Sequence, residues 1–433
     1  MKLWKYLALA AFVASASVAH AGKLAGKNII LIQGFQPQHV FLKRTDDGGK
    51  RWGYAYWNKF ELYNNGDGAI KTAPVYDESV WYEYIPAIGD IQFLDQVLPV
   101  LEDNNGNTFN MYDHTKTAVF YDDDPHAKIL YFDSTYRLEE AGGQGNGAKV
   151  AQQLKDLFAA DPTYCARTNG CIVITHSTGD IVMRWIEANK HTALDDATRQ
   201  AFDVLTYVDM AGAGGGTEGA TLLYWAANLA NALTPSEQDD LDLANYWINT
   251  LFGTEGVLYM EAGKHFNAGI LFDLQVHEAR NADRSNPDEI PKLRIASAGD
   301  EPYGFITHAF IKGRDDSVLP LHSTCGSANA HAYDSCSHAR DLNGKVTLFN
   351  DAPLFFYRHN YPFIQSEDLR HNGHQWNDTG NTMVALMGDG QVAPGVRIDI
   401  EETTSWWLLN QYKRITNSEN SSMAEVLSRS IEQ

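Results

Sequence analysis

Ile172-Val173-Ile174-Thr175-His176-Ser177-Thr178-Gly179-Asp180 is the stretch whose reading decides the fold. With Cys171 ahead of it, the apolar run has the composition of a buried strand. Beyond it Ile181, Val182, Trp185 and Ile186 recur at helical spacing, which predicts a helix over about Thr178–Lys190. A strand that turns abruptly into a helix leaves the serine at the apex in a strained backbone and exposes its hydroxyl. Chain packing at such a turn needs small residues two before and two after the serine. Gly179 meets that demand, and Thr175 is bulkier than the ideal. The bland alternative is a serine or threonine that only caps a helix.

Working outward, Lys27–Ile32, Ala118–Tyr121, Lys128–Phe132, Val204–Met210, Leu293–Ala298, Lys345–Phe349 and Leu354–Tyr357 read as further strands. Between them, Ile91–Glu102 and Ala148–Ala159 read as helices, the latter with Val150, Leu154, Leu157 and Phe158 on one face. The glycine cluster at 142–147 neither follows its strand directly nor carries a Gly-Lys-Ser/Thr, so it reads as a loop before a helix and not as a phosphate cradle. Residues 217–275 look wholly helical and rich in aromatics, and the tail after Ser405 looks helical. Strands alternating with helices imply an α/β fold with a mostly parallel sheet covered on both faces. No internal repeat or linker divides the chain.

The N-terminus carries the pattern of a secretory signal: Lys2 and Lys5, an apolar run from Leu7 to Val18, and Ala19-His20-Ala21 as cleavage site. Residues 1–21 are therefore expected to be removed, leaving 22–433 as one domain with 217–275 inserted, and a secreted protein, extracellular or periplasmic. The alternative is an uncleaved N-terminal anchor. The formal charge of −21 argues against nucleic acid and anionic membrane surfaces as partners. Export makes disulfides plausible for the four cysteines. Of the three pairings, Cys165–Cys171 with Cys325–Cys336 closes the shortest loops and is the expected one.

Thr175-His176-Ser177-Thr178-Gly179 resembles the Gly-His-Ser-x-Gly box of bacterial lipases and esterases of the α/β-hydrolase superfamily, with the first glycine replaced. Ile29–Phe35 resembles their strand and His-Gly-Phe/Leu turn, with Gln33 in place of histidine and Gly34 kept. The resemblance implies that Ser177 is a nucleophile and that the backbone N–H groups of Phe35 and Thr178 form an oxyanion hole. Gly313–Pro320 looks like the family's Gly-x-x-Asp-x-x-Val-Pro loop, which makes Asp316 the triad acid, with Asp315 its neighbour and Asp300 the rival. The base is sought among His322, His331, His338, His359, His371 and His374. The Gly373-His374 pair matches the usual Gly-His ending, so His374 is preferred, with His371 as the alternative. No helical zinc motif accompanies the His-x-x-His spacing.

A serine triad with an oxyanion hole implies acyl transfer to water, so the expected activity is carboxylic ester hydrolysis, lipase-like, on an ester or lipid substrate. Polyester or polyhydroxyalkanoate depolymerase and phospholipase are alternatives within the class, and a non-catalytic binding protein on the same fold is the alternative outside it. If residues 217–275 form a helical lid, a lipid–water interface is the expected working surface. The chemistry requires no cofactor. The resemblance allows a structural calcium near the histidine loop, with Asp368 and Asp378 as contributors. No protein partner is implied.

Overall fold

The computed structural model describes residues 27–35, 127–165, 170–232, 269–282, 290–300, 307–327, 330, 333–347, 360–371, 382–386, 390–405, 410–421 and 423–431. A seven-stranded sheet organises them. Its strands are β1 (Asn28–Ile32), β2 (Ala127–Leu130), β3 (Cys171–His176), β4 (Val204–Met210), β5 (Lys292–Gly299), β6 (Asn360–Arg370) and β7 (Val384–Ala385), in spatial order β2-β1-β3-β4-β5-β6-β7. Every neighbouring pair is parallel except β6–β7. β1 and β3 lie side by side with Leu31 opposite Ile174, and all their residues are buried. Unbroken apolar runs such as Asn-Ile-Ile-Leu-Ile are what a parallel strand covered on both faces requires.

The order reverses between β1 and β3, because β2 was laid on one side of β1 and β3 on the other. At such a reversal the connections leave for opposite faces and open a crevice beyond the carboxyl ends of the strands. Gln33-Gly34-Phe35 and Ser177-Thr178 sit at those two ends.

Helix α1 (Asn146–Ala160) buries Val150, Leu154 and Phe158 of the face read from its spacing, together with Ala151, and leaves Leu157 half-buried. It lies against α2 (Gly179–Ala193), and the approach is so close that a Cβ on Gly147 would overlap the Trp185 indole. α3 (Asp196–Ala201) is capped by Asp195, whose carboxylate accepts the Thr198 N–H at 2.8 Å. The 217–275 stretch contains α4 (Glu218–Ala232) and α5 (Gly269–Asp273), and residues 233–268 lie outside the described residues. α6 (Val276–Ala282) and the short α7 (Leu321–Thr324) follow.

After Ser405 the expected helix is found at Met423–Ile431, whereas Asn410–Ile415 is a strand. Two antiparallel hairpins, β8 (Gly390–Ala393) with β9 (Val396–Ile398) and β10 (Ile400–Ser405) with β11 (Asn410–Ile415), precede a helix α8 (Met423–Ile431). In β10–β11 charged and hydroxyl residues stand on exposed strands, where pairing across the ladder, as between Glu402 and Lys413, supplies what apolar alternation would otherwise signal. Lys345 and Val346 form isolated bridges and not the expected strand. The expected strands at 118–121 and 354–357, the helix at 91–102 and the signal segment lie outside the described residues. Among the described residues no helix is long and apolar enough to cross a membrane.

Cys165 is bonded to Cys171 and Cys325 to Cys336, with Cα–Cα distances of 4.7 and 5.6 Å. The first ties the loop after α1 to the start of β3. The second closes the segment after α7, where the Cys336 N–H donates to Gln365 Oε1 of β6 at 2.9 Å. Loops this short stabilise by about 2–3 kcal/mol each in the chain-entropy account. Peptide mapping without reduction is expected to recover both links, and reduction to lower the melting temperature; free thiols or a 165–325 link would contradict the pairing.

Candidate active site

Ser177 stands between β3 and α2 with φ 55°, the left-handed region that non-glycine residues rarely occupy. Its N–H donates to Met210 O at 3.0 Å, and its carbonyl accepts the Ala213 N–H at 3.0 Å, so the turn is anchored to the end of β4. Gly179 has no room for a side chain: a Cβ there would stand 2.6 Å from Ile32 O and 2.7 Å from Gln33 O. Thr175 is fully buried, and its hydroxyl is taken up by Tyr207 Oη (3.0 Å) and Asp209 Oδ1 (3.3 Å). The bulk that made it an imperfect match is accommodated by a hydrogen-bonded pocket in β4.

Asp316 follows β5 on the 307–320 loop and is fully buried. Oδ1 accepts the N–H groups of Val318 (3.1 Å) and Leu319 (2.7 Å). Oδ2 accepts the Ser297 hydroxyl at 2.5 Å and lies 3.0 Å from His371 Nδ1. Burial pushes this carboxyl up, but the facing His371 charge and the bonds from His371, Ser297 and Leu319 outweigh it and hold it below the usual carboxylate range. An ionised Asp316 accepts a hydrogen bond from Nδ1–H, which keeps the proton on Nδ1 and leaves Nε2 as the imidazole's acceptor nitrogen.

His371 is the first residue after β6 and is buried. Its carbonyl accepts a hydrogen bond from His176 Nε2 at 2.8 Å, and the two rings lie 4.8 Å apart. A carbonyl can only accept, so His176 carries a proton on Nε2. His176, the neighbour of Ser177, thereby fastens the end of β6 to the serine turn.

Asp300 and Asp315 bind a different histidine. His308 Nε2 is 3.0 Å from Asp300 Oδ1, and Nδ1 is 2.8 Å from Asp315 Oδ2. Burial pulls His308 down, but the bond and charge of Asp315 and the charge of Asp300 prevail and raise its pKa. Asp315 is raised by burial, against its bonds to His308 and the Ser317 amide. His322 is buried beside Arg280 and Glu218, and His338 is exposed. His331, His359 and the preferred base His374 lie outside the described residues, so the His371–Asp316 contact concerns the alternative base and not the preferred one.

Ser177 and Thr178 line a cavity that opens to the surface. Its walls are apolar: Phe35 from the end of β1, Ala220, Leu222 and Leu223 from α4, Leu271 and Leu274 at α5, and Phe310, Ile311, Val318 and Leu319 from the acid loop. Both described helices of the 217–275 stretch thus contribute to it. Such a cavity accepts a hydrocarbon-bearing ligand and places one end of it at a serine hydroxyl. No group of three or more His, Cys, Asp or Glu able to hold a metal occurs among the described residues. Asp368 accepts the Thr382 N–H at 2.7 Å, and Asp378 lies outside the described residues.

Under the serine turn lies a buried ionic cluster that the sequence reading missed. Arg294 of β5 is fully buried between Asp209 Oδ2 (2.8 Å) and Asp180 Oδ2 (3.5 Å). Arg184 approaches Asp180 to 3.9 Å, and the Tyr207 hydroxyl donates to Asp180 Oδ1 at 2.6 Å. Burial pushes Asp180 up, but Arg294 and Arg184 outweigh it and hold it down. Asp209 is pushed up to about 8 by burial and by the Asp180 charge, against Arg294. Ser297 and His176 were likewise not singled out as working residues. The one available signal was position, since each stands at the carboxyl end of a parallel strand.

No family model matches the chain, and no curated relative matches it. Among the solved structures similar to it are two lipases. The lipase BlEst2 of Bacillus licheniformis in its mature form is 12% identical, with a TM-score of 0.31, over 68% of this chain and 76% of that one. Lipase 1 from Pelosinus fermentans is 13% identical, with a TM-score of 0.29, over 80% of this chain and 92% of that one.

Proposed function

We propose that the protein is a secreted serine carboxylic ester hydrolase of the α/β-hydrolase fold, lipase-like in its acyl site, with Ser177 as nucleophile, His371 as general base and Asp316 as orienting acid. The observation that carries the reading is the His371–Asp316 hydrogen bond, with the His371 carbonyl bonded to His176, the residue before a serine of positive φ that lines an apolar cavity. In this reading His371 Nε2 accepts the Ser177 Oγ proton as Oγ bonds to the ester carbonyl carbon. The N–H groups of Phe35 and Thr178 receive the oxyanion. The imidazolium then gives its proton to the departing alkoxide, which leaves as the alcohol. Water, deprotonated by the same nitrogen, cleaves the acyl-enzyme to release the acid and free Ser177. The proton moved is returned in each half, so no cofactor enters. The apolar walls favour an aliphatic acyl group and suit work at a lipid–water interface. The signal-like N-terminus and the two disulfides support export.

A fluorophosphonate probe tests the reading directly. Peptide mapping is expected to find the label on Ser177 and on no other residue, with Ser177→Ala unlabelled and equally stable. A folded wild-type protein that takes no label would be a binding protein and not a hydrolase.

A further inference from the structure

Thr178 is the residue after the proposed nucleophile and is 1% exposed. It occupies the cap position of α2, in helical conformation, and its side chain makes no capping bond. Among the described residues its hydroxyl is buried with no hydrogen-bond partner. The other threonine hydroxyl on the cavity wall near α4 is spoken for: Thr217 Oγ1 donates to Val318 O at 2.8 Å and accepts the Gly219 N–H at 3.2 Å. Gln33 Oε1 is also buried without a partner, but Gln33 does not line the cavity, whereas Thr178 does. A hydroxyl withdrawn from water with nothing to bond to lowers stability, and a valine of the same shape would avoid that cost. An orphan of this kind at a ligand cavity calls for a partner that arrives with the ligand.

We infer that the Thr178 hydroxyl is a third donor to the oxyanion, acting beside the backbone N–H groups of Phe35 and Thr178. This deepens the proposed hydrolase function and rests on it. The chemistry selects the donor's moment of use. A hydroxyl bond to a negatively charged oxygen is shorter and roughly twice as strong as one to a neutral carbonyl. The bond therefore strengthens as charge moves onto the oxygen, and it lowers the barrier more than it tightens substrate binding. Thr178 would thus be a catalytic residue whose side chain is a burden to the resting fold.

The test compares kcat, KM and melting temperature for Thr178→Val, and the matched pair Thr178→Ser and Thr178→Ala, on p-nitrophenyl butyrate, with Ser177→Ala alongside. The hydroxyl-free variants are expected to lose about 10²-fold in kcat, the scale of one preorganised oxyanion donor. KM should move less than about twofold, the Thr178→Val melting temperature should be unchanged or higher, and serine should restore kcat to within about threefold, because it keeps the donor. If Thr178→Val fails to fold, the serine–alanine difference carries the same test. Equal kcat in serine and alanine variants, or an effect on KM alone, would overturn the inference while an inactive Ser177→Ala leaves the hydrolase reading standing. Full activity in Ser177→Ala would overturn both.

Discussion

Replacement of His371 by alanine is expected to lower kcat on a soluble ester by about 10⁴- to 10⁶-fold, as loss of the base in a serine triad does, whereas His374→Ala costs less than about tenfold. The Gly373-His374 pair makes His374 the natural choice from sequence. The proposed base is instead His371, which rests on contacts that the sequence does not display. Asp316 has four hydrogen-bond partners, two amides, a serine hydroxyl and His371, and together they fix where its carboxylate points. Two of them, the Val318 and Leu319 amides, come from its own loop, so the acid is oriented before the histidine arrives. His371 is then held through its backbone by His176. Steady-state rates from pH 5 to 9 for both variants decide the matter. A collapse in His374→Ala with His371→Ala near wild type would move the base three residues along and leave Asp316 and Ser177 in their roles.

The sheet was legible because its central strands are apolar without interruption, and the serine turn because a strand period gives way to a helix period across Ser177. The acid loop was legible from Asp316 and its following Leu319-Pro320, and Thr175 could be noticed as too large. Why it is tolerated could not be read, since the answer lies in Tyr207 and Asp209, one strand away in space and more than thirty residues away in sequence. The ionic cluster was hidden for a related reason. Asp209 and Arg294 each sit inside a mostly apolar run, and a charge there looks like noise until its counter-charge is found on the neighbouring strand. The exposed hairpins of the tail carry too little apolar alternation to be told from a polar helix.

That cluster carries the second large effect. Arg294→Met is expected to destabilise the fold by about 3–5 kcal/mol, the cost of leaving a buried charge without its partner. Methionine fills much of the volume, so the loss is electrostatic. Arg184, at 3.9 Å, and the charge of Lys292 remain to favour an ionised Asp180, and Asp209 loses the guanidinium that donates to it at 2.8 Å. The pH dependence separates this from a packing defect. In the wild type, burial raises Asp209 to about 8, so the folded state keeps a proton that the unfolded chain releases above about 4. Its contribution to stability is full below about pH 4 and falls as pH rises toward about 8, because ionising the carboxyl inside the fold is the costly step. Without Arg294 both Asp180 and Asp209 resist ionisation, so the loss is expected to be smaller at pH 5 than at pH 8.5. Asp209→Asn keeps the shape and removes the titrating proton. Its stability curve should be flatter over that interval and its deficit modest. Urea unfolding of the three proteins at both pH values measures each quantity. An Arg294→Met deficit equal at pH 5 and 8.5 would mean that the arginine serves the core by its bulk. The two aspartates beneath the serine turn would then have no electrostatic claim on it.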